Sequence, residues 1–186
     1  VGGTAGLQKV TGVLGLENVD VTNRIHDHID YWYQTDYILQ AIPTQPDERT
    51  LSTVASTPGL VVPISTYLPV LQDLHLTLHA RRTQALALKN KTDFHLKYVT
   101  THFGSGRWTF DPPIEIPGGQ CGVMGCVSGA VTAGLEGLVV YREARGLFYV
   151  VCVFSNPLRG QFRSFATLTP TLDVHNLDAW FGRLAE

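Results

Sequence analysis

The stretch GLFYVVCVFSNPLRGQFRSFATLT, residues 146–169, decides the fold class. Its two halves, residues 146–154 and 162–169, are rich in the β-branched and aromatic residues that favour strands. Pro157 lies between the halves and interrupts regular backbone structure. We therefore predict two strands joined by a turn. The apolar run in this stretch is too short to cross a membrane as a helix.

Further strand candidates lie upstream of this pair. In residues 74–80, Leu74, Leu76 and Leu78 alternate with polar residues, and this period of two predicts a half-buried strand. Two prolines within residues 59–72 predict that any helix there is short. Several short strands separated by glycine and proline predict a two-sheet sandwich or a barrel. The other strand candidates are DYILQAI (36–42), DFHLKYVT (93–100) and GLVVY (137–141).

The composition suggests a single domain with a covered surface. Hydrophobic residues make up 44% of the 186 residues and charged residues only 16%, well below the usual quarter. The net charge of −2 provides no basic footprint for nucleic acid. Residues 1–24 are rich in Gly, Val and Thr, and we expect them to form an extended arm. The odd number of cysteines, without a signal peptide, predicts free thiols at Cys121, Cys126 and Cys152.

The stretch IPGGQCGVMGC (116–126) raises the question of a cysteine nucleophile. His28, Asp47 and Cys121 follow the order of chymotrypsin-like cysteine proteases, and residues 131–150 resemble the strand after the nucleophile in enterovirus proteases. That resemblance implies that His28 takes the thiol proton, that Asp47 orients His28, and that backbone amides near Cys121 form the oxyanion hole. The alternative is a glycine-rich turn holding a small buried thiol, and we expect this alternative.

Two pairs of histidines suggest a metal site. His75 and His79 would share one face of a helix, but the predicted strand places their Cα atoms about 13 Å apart. His26 and His28 lie in an aromatic stretch without a nearby third ligand. We therefore expect no metal site and no cofactor.

One resemblance points to membranes. The matching segments are NKTDFHLKYVTTHFGSG (90–106), the proline pair at 112–113, GLVVY (137–141) and VFSNP (153–157). They resemble the actinoporins, which are sphingomyelin-binding pore toxins. The resemblance implies that Ser105, Ser155 and Pro157 hold a phosphocholine headgroup. Those toxins carry a tyrosine-rich run after the Ser-x-Pro, whereas residues 158–168 contain no tyrosine. We therefore expect the aromatic cage for a quaternary ammonium to be missing.

A second resemblance covers roughly residues 22–186. The matching segments and residues are RIHDHIDYWYQTDYILQAI (24–42), GLVVPISTYL (59–68), YVTTHFGSG (98–106), Thr66, Tyr67, Asp73, Leu74, Leu76, Leu168, Pro170, Trp180 and Arg183. Their order resembles the picornavirus capsid protein of the fivefold vertex in its compact, aphthovirus-like form. The resemblance implies an all-β fold, namely an eight-stranded antiparallel jelly-roll sandwich over residues 25–186 with an extended N-terminal arm at residues 1–24.

The capsid resemblance also implies a function. We expect a structural protein, not an enzyme, that joins other capsid proteins of the same polyprotein in pentamers. These would form an icosahedral shell around an RNA genome in the virion, with assembly in the host cytoplasm and no membrane span. The turn YREARG (141–146) supplies receptor-facing candidates, Arg142, Glu143 and Arg145, for a host receptor of unknown identity. The cysteine protease and the actinoporin-like pore former remain as alternatives.

The seven histidines suggest one regulatory hypothesis. If several lie at subunit contacts, their protonation near pH 6 would add like charges and loosen the shell. Isolated surface histidines are the alternative. The histidines are residues 26, 28, 75, 79, 95, 102 and 175.

Overall fold

The structure is a computed structural model that describes residues 37–43, 56–130 and 132–185. Two β-sheets dominate this part of the chain, so the all-β prediction is confirmed. The predicted arm at residues 1–24, its boundary with the following domain, and the candidate residues His26, His28 and Asp47 lie outside the described residues.

The described residues form eleven strands and two helices. The strands are β1 (Tyr37–Pro43), β2 (Thr57–Pro58), β3 (Leu60–Pro63), β4 (Thr83–Asn90), β5 (Leu96–Ser105), β6 (Arg107–Asp111), β7 (Glu115–Ile116), β8 (Gln120–Val127), β9 (Leu135–Glu143), β10 (Tyr149–Asn156) and β11 (Arg163–Thr169). The helices are α1 (Tyr67–Thr77) and α2 (Ala179–Gly182), with 3-10 turns at Ile64–Thr66 and Arg183–Ala185.

The strands form two sheets, which we call A and B. Sheet A has the order β1-β4-β8-β6-β2, with β3 also paired to β8, and sheet B has the order β11-β10-β9-β5-β7. β5 and β6 are one extended run that crosses from sheet B to sheet A at Gly106, whose φ is 118°. A Cβ at Gly106 would lie 2.8 Å from the carbonyl oxygen of Val127, so this crossing requires glycine.

The main core lies between the sheets. Alternate residues of each strand point inward, as the period of two requires. Trp108 of sheet A packs against Phe103 and Phe154 of sheet B, with ring centroids 5.2 and 5.6 Å apart. The other buried members of this core are Leu86, Leu88, Leu96, Ile116, Met124, Cys126, Leu135, Val139, Tyr141, Phe148, Val150, Cys152, Ala166 and Leu168.

Helix α1 covers the outer face of sheet A, and the strand predicted for residues 74–80 is wrong. Leu71, Leu74 and Leu78 are buried at helical spacing, whereas Leu76 is 65% exposed. The leucines at positions 74, 76 and 78 alternate as in a strand, but Leu71, Leu74 and Leu78 are also spaced by three and four residues, as on one face of a helix. The chain adopts the helix. Pro69 does not prevent this helix because it lies in the first turn, where its missing N–H has no intrahelical partner.

The C-terminal segment forms a third layer on the outer face of sheet B. Leu177 and Leu184 are buried there against apolar residues of β9 and β10. Arg163 of β11 donates from Nη1 to the carbonyl oxygen of Leu184, which ties the end of this segment to the sheet. The partly buried members of the layer are Val99, Tyr149, Phe165, Leu172, Trp180 and Phe181.

Candidate functional site

Ser105 and Ser155 lie on either side of one glutamate. β9 runs between β5 and β10, and Glu136 is the register partner of both Ser105 and Ser155. Directly paired residues point to the same face of a sheet, and neighbouring strands are about 4.8 Å apart. The two serines therefore lie roughly 10 Å apart, with Glu136 on the strand between them. A register shift between Phe103 and Ser105 sets this alignment.

Pro157 joins this group through the turn before β9. Ser105 Oγ donates to the carbonyl oxygen of Gly134 at 2.8 Å. A Cβ at Gly134 would lie 3.2 Å from Pro157 Cα and 3.2 Å from the nitrogen of Leu158, so the two turns are in contact. The structure thus brings Ser105, Ser155 and Pro157 to one end of sheet B. We call this group, with Glu136, the Ser105–Ser155 end.

An aromatic ring from the C-terminal helix reaches the same place. A Cβ at Gly104 would lie 3.0 Å from Glu136 Oε1 and 3.3 Å from Phe181 Cε2, so the carboxylate and the ring flank Gly104. The His102 ring stacks on Phe181 with centroids 5.8 Å apart, and His102 Nε2 lies 2.7 Å from Asp178 Oδ1. Phe181 thus supplies one aromatic ring beside Gly104, and the absence of a complete aromatic cage stays a prediction.

These residues form a site with two chemical characters. Serine hydroxyls donate hydrogen bonds to phosphate oxygens. An aromatic face and a nearby carboxylate attract a quaternary ammonium. Ser155 is buried and Glu136 is half-buried, so Glu136 lies at the boundary between the apolar outer layer and solvent.

Cys121 has the environment of a structural thiol. It lies in β8, paired with Val62 of β3 and Lys89 of β4, and it is fully buried. Burial raises its pKa to about 12, and Lys89 lowers it only in part. The thiolate is the nucleophilic form, so this environment does not favour attack on a substrate. The expected buried thiol is confirmed.

The predicted free thiols are also confirmed for the other two cysteines. Cys126 and Cys152 are free and fully buried. Burial raises the pKa of Cys152 to about 12 and that of Cys126 well above its usual value.

The receptor-facing candidates occupy different environments. Arg142 is exposed and Arg145 is half-exposed, but the side chain of Glu143 has no exposed surface. The Glu143 carboxylate accepts from Arg145 Nε at 3.0 Å and from the nitrogen of Leu147 at 3.4 Å, so it holds the turn together. Arg145 also lies over the Phe94 ring at 3.7 Å. Receptor attachment through Arg142 and Arg145 stays a prediction.

His75 and His79 of the metal hypothesis do not lie on a strand. His75 is in α1, and His79 follows the end of that helix. Within residues 37–43, 56–130 and 132–185, no three or more His, Cys, Asp or Glu side chains are grouped to hold a metal ion. Neither helix of the described chain is long and apolar enough to cross a bilayer.

Comparison with known proteins gives a partial relationship. No protein-family model matches the chain. An uncharacterized protein of Dictyostelium discoideum is 33% identical to it over 81 residues. The aligned segment covers 43% of this chain and 7% of the Dictyostelium protein, so the chain spans a small part of that relative. The chain is therefore similar, over less than half of its length, to one segment of a much longer protein.

Proposed function

We propose that this chain binds phosphocholine lipids at the Ser105–Ser155 end and acts on membranes as an actinoporin-like pore former. The observation that carries the proposal is the shared register partner of the two serines, Glu136. The actinoporin resemblance pointed to Ser105, Ser155 and Pro157, which are up to 52 positions apart in the chain (157 minus 105). Their meeting in space is independent support for the resemblance.

The chemistry of a phosphocholine headgroup suits both characters of the site. Its phosphate carries oxygens that accept from the Ser155 hydroxyl, while Ser105 donates to the Gly134 carbonyl oxygen and fixes the turn beside the site. Its trimethylammonium is a cation without hydrogen-bond donors, which proteins bind through aromatic faces and nearby negative charge. Phe181 and Glu136 supply these beside Gly104. The carboxylate would repel a phosphate placed on it, so the choline end is the one that lies towards Glu136.

A coat-protein function is the second candidate. Exposed apolar side chains on β3 and α1, in a chain with few charges, suit a surface covered by neighbouring subunits. These side chains are Leu60, Val61, Leu68 and Leu76. The jelly roll expected for this function contains two Greek keys. Here β9, β10 and β11 follow one another as a meander in a single sheet.

Vesicle binding tests the first proposal. We expect the protein to co-sediment with vesicles containing sphingomyelin or phosphatidylcholine, and to release a trapped dye from them. Vesicles of phosphatidylethanolamine and phosphatidylglycerol should give neither result. The double variant Ser105→Ala/Ser155→Ala should bind at least about tenfold more weakly, because it removes the Ser155 donor to the phosphate and the Ser105 bond that fixes the turn at Gly134. Ser164→Ala, in β11 of the same sheet, is the matched control and should bind as the wild type does.

The outcomes separate the two candidates. Equal binding to vesicles with and without choline headgroups would contradict the headgroup site. Unchanged binding of the double variant would contradict it as well. Pentamer-sized assemblies seen by sedimentation and electron microscopy, without vesicle binding, would support the coat-protein function instead.

A further inference from the structure

A second group of polar residues lies inside the sandwich, where β4 begins and β8 ends. Ser128 donates from its backbone nitrogen to the carbonyl oxygen of Arg82 at 2.9 Å. This bond extends the β4–β8 ladder by one step, so Arg82 and Ser128 are cross-strand neighbours. Gln84 is two residues further along β4, on the same face as Arg82.

This face is turned towards the space between the sheets. On β4, Gln84 points to the same side as the core residues Leu86 and Leu88, because it lies two and four positions from them. Ser128 follows the end of β8 and points to the same side as the core residue Cys126. Gln84 and Ser128 have no exposed surface, and Arg82 is 8% exposed.

These three buried side chains have hydrogen-bonding atoms without partners. Arg82 donates from Nη2 to the carbonyl oxygen of Leu158 at 2.9 Å, but its Nε–H has no acceptor. Gln84 Nε2 and Oε1 and Ser128 Oγ are also without partners. Within residues 37–43, 56–130 and 132–185, no carboxylate forms an ion pair with Arg82.

We propose that Arg82, Gln84 and Ser128 form a binding site for one small oxyanion of the phosphate class. The Arg82 Nε–H, the Ser128 hydroxyl and the Gln84 amide donate to its oxygens. Its charge neutralises the buried guanidinium, for which isolation in a protein interior is costly. Buried water would satisfy the polar atoms but would leave the charge uncompensated. A metal cation is disfavoured because the guanidinium repels it.

The site adjoins the segment that carries Ser155 and Pro157. Besides the bond from Arg82 to Leu158, Asn156 Nδ2 donates to the carbonyl oxygen of Thr83 at 3.3 Å. Leu158, which accepts the bond from Arg82, directly follows Pro157 in the chain. An anion bound to Arg82 would therefore lie close to the backbone of the Ser105–Ser155 end. The anion can be free phosphate or the phosphodiester of a lipid headgroup, and the proposal does not depend on the function of Ser105 and Ser155.

Thermal unfolding with added anions tests the proposal. The measurement uses the full chain with Ser105→Ala/Ser155→Ala, so that the headgroup site does not contribute. Inorganic phosphate, soluble glycerophosphocholine and chloride are compared at equal ionic strength. We expect a saturating rise of Tm with inorganic phosphate if the site takes the free anion, or with glycerophosphocholine alone if it takes a phosphodiester. Chloride should not produce this rise.

Variants then locate the effect. Ser128→Ala removes one donor and should weaken the anion's apparent affinity about tenfold. Gln84→Leu replaces an unpartnered amide with an apolar side chain of similar size, so it should fold well and lose much of the response. If neither inorganic phosphate nor glycerophosphocholine raises Tm above chloride, the proposal is overturned. A rise that persists unchanged in Ser128→Ala and Gln84→Leu would place the anion elsewhere and also overturn it.

Discussion

The two ends of strand β9 both carry buried polar groups, but they use them differently. At the Glu143 end, the carboxylate bonds to Arg145 and to the Leu147 amide, and the nitrogen of Gly146 donates to the Glu143 carbonyl at 2.7 Å. At the Ser105–Ser155 end, the adjoining Gln84 and Ser128 are buried with unpartnered polar atoms. Polar groups that satisfy one another stabilise a fold, whereas the unpartnered groups at the other end are the ones that we assign to a bound anion.

Two glutamates at the opposite ends of β9 have different environments. Glu136 and Glu143 lie on the same strand, seven positions apart by their numbers. Glu143 is enclosed by its own turn, while Glu136 is half-buried beside Phe181. Charge and strand position alone do not assign a role, because the partners of each carboxylate come from other segments.

The largest expected effect concerns the backbone at the Ser105–Ser155 end. Gly106→Ala should lower the free energy of unfolding by about 3 kcal/mol or more, because it combines positive-φ strain with a clash against Val127 and Leu135. Gly119 also has a positive φ, of 72°, but a Cβ there meets nothing within 4 Å, so Gly119→Ala should cost only about 1 kcal/mol. Urea unfolding measures both. Equal costs would show that the crossing at Gly106 is not crowded.

The next effect tests the Glu143 end. Glu143→Ala should destabilise the protein by about 2 kcal/mol, since the Leu147 amide and Arg145 lose their acceptor. Glu115→Ala removes a carboxylate that is 43% exposed and paired with His95, and should cost less than about 1 kcal/mol. If urea unfolding gave the two variants the same stability, Glu143 would not hold its turn and the contrast between the two ends would fail.

The third prediction concerns the pH dependence of stability that comes from the buried thiol of Cys121 in sheet A. Burial raises its pKa to about 12 from the usual 9.0. The folded state therefore keeps the thiol proton longer than the unfolded state does. The stability from this group is full below about pH 9 and falls as the pH rises towards 12. At pH 10 the loss is about 1.4 kcal/mol.

Cys121→Ala isolates this contribution from other alkaline titrations. Unfolding of wild type and variant is compared at pH 7.5 and pH 10, and the variant should lose about 1.4 kcal/mol less between them. Equal losses would mean that the Cys121 thiol is not shielded from solvent.

The smallest effect concerns ligand binding at the Ser105–Ser155 end. Phe181→Leu keeps an apolar side chain in the outer layer but removes the aromatic face, so binding to sphingomyelin vesicles should weaken about fivefold. Phe165→Leu, in the same layer but on β11, is the control and should bind normally. Equal weakening in both variants would attribute the change to packing and would remove Phe181 from the proposed site.

The sequence predicted the fold class because strand signals are local. Alternation and β-branched residues identified β1, β5, β9, β10 and β11. The strand predicted for residues 74–80 was wrong, because the leucine spacing there fits both a strand and a helix. Packing of the leucines on sheet A selects the helix. TQALALKN was not predicted as a strand, since alanine, leucine and lysine favour helices, and its pairing with β1 and β8 makes it β4.

The sequence by itself determined that this chain folds mainly into short strands, and it pointed by resemblance to Ser105, Ser155 and Pro157. Only the tertiary structure decided that the two serines share Glu136, that Phe181 joins them from the C-terminal segment, and that Gln84 and Ser128 are buried without partners. The physical reason is the distance along the chain between the residues that interact. Side-chain alternation is set by neighbouring residues, whereas strand register and the burial of a polar group depend on segments far apart in the chain.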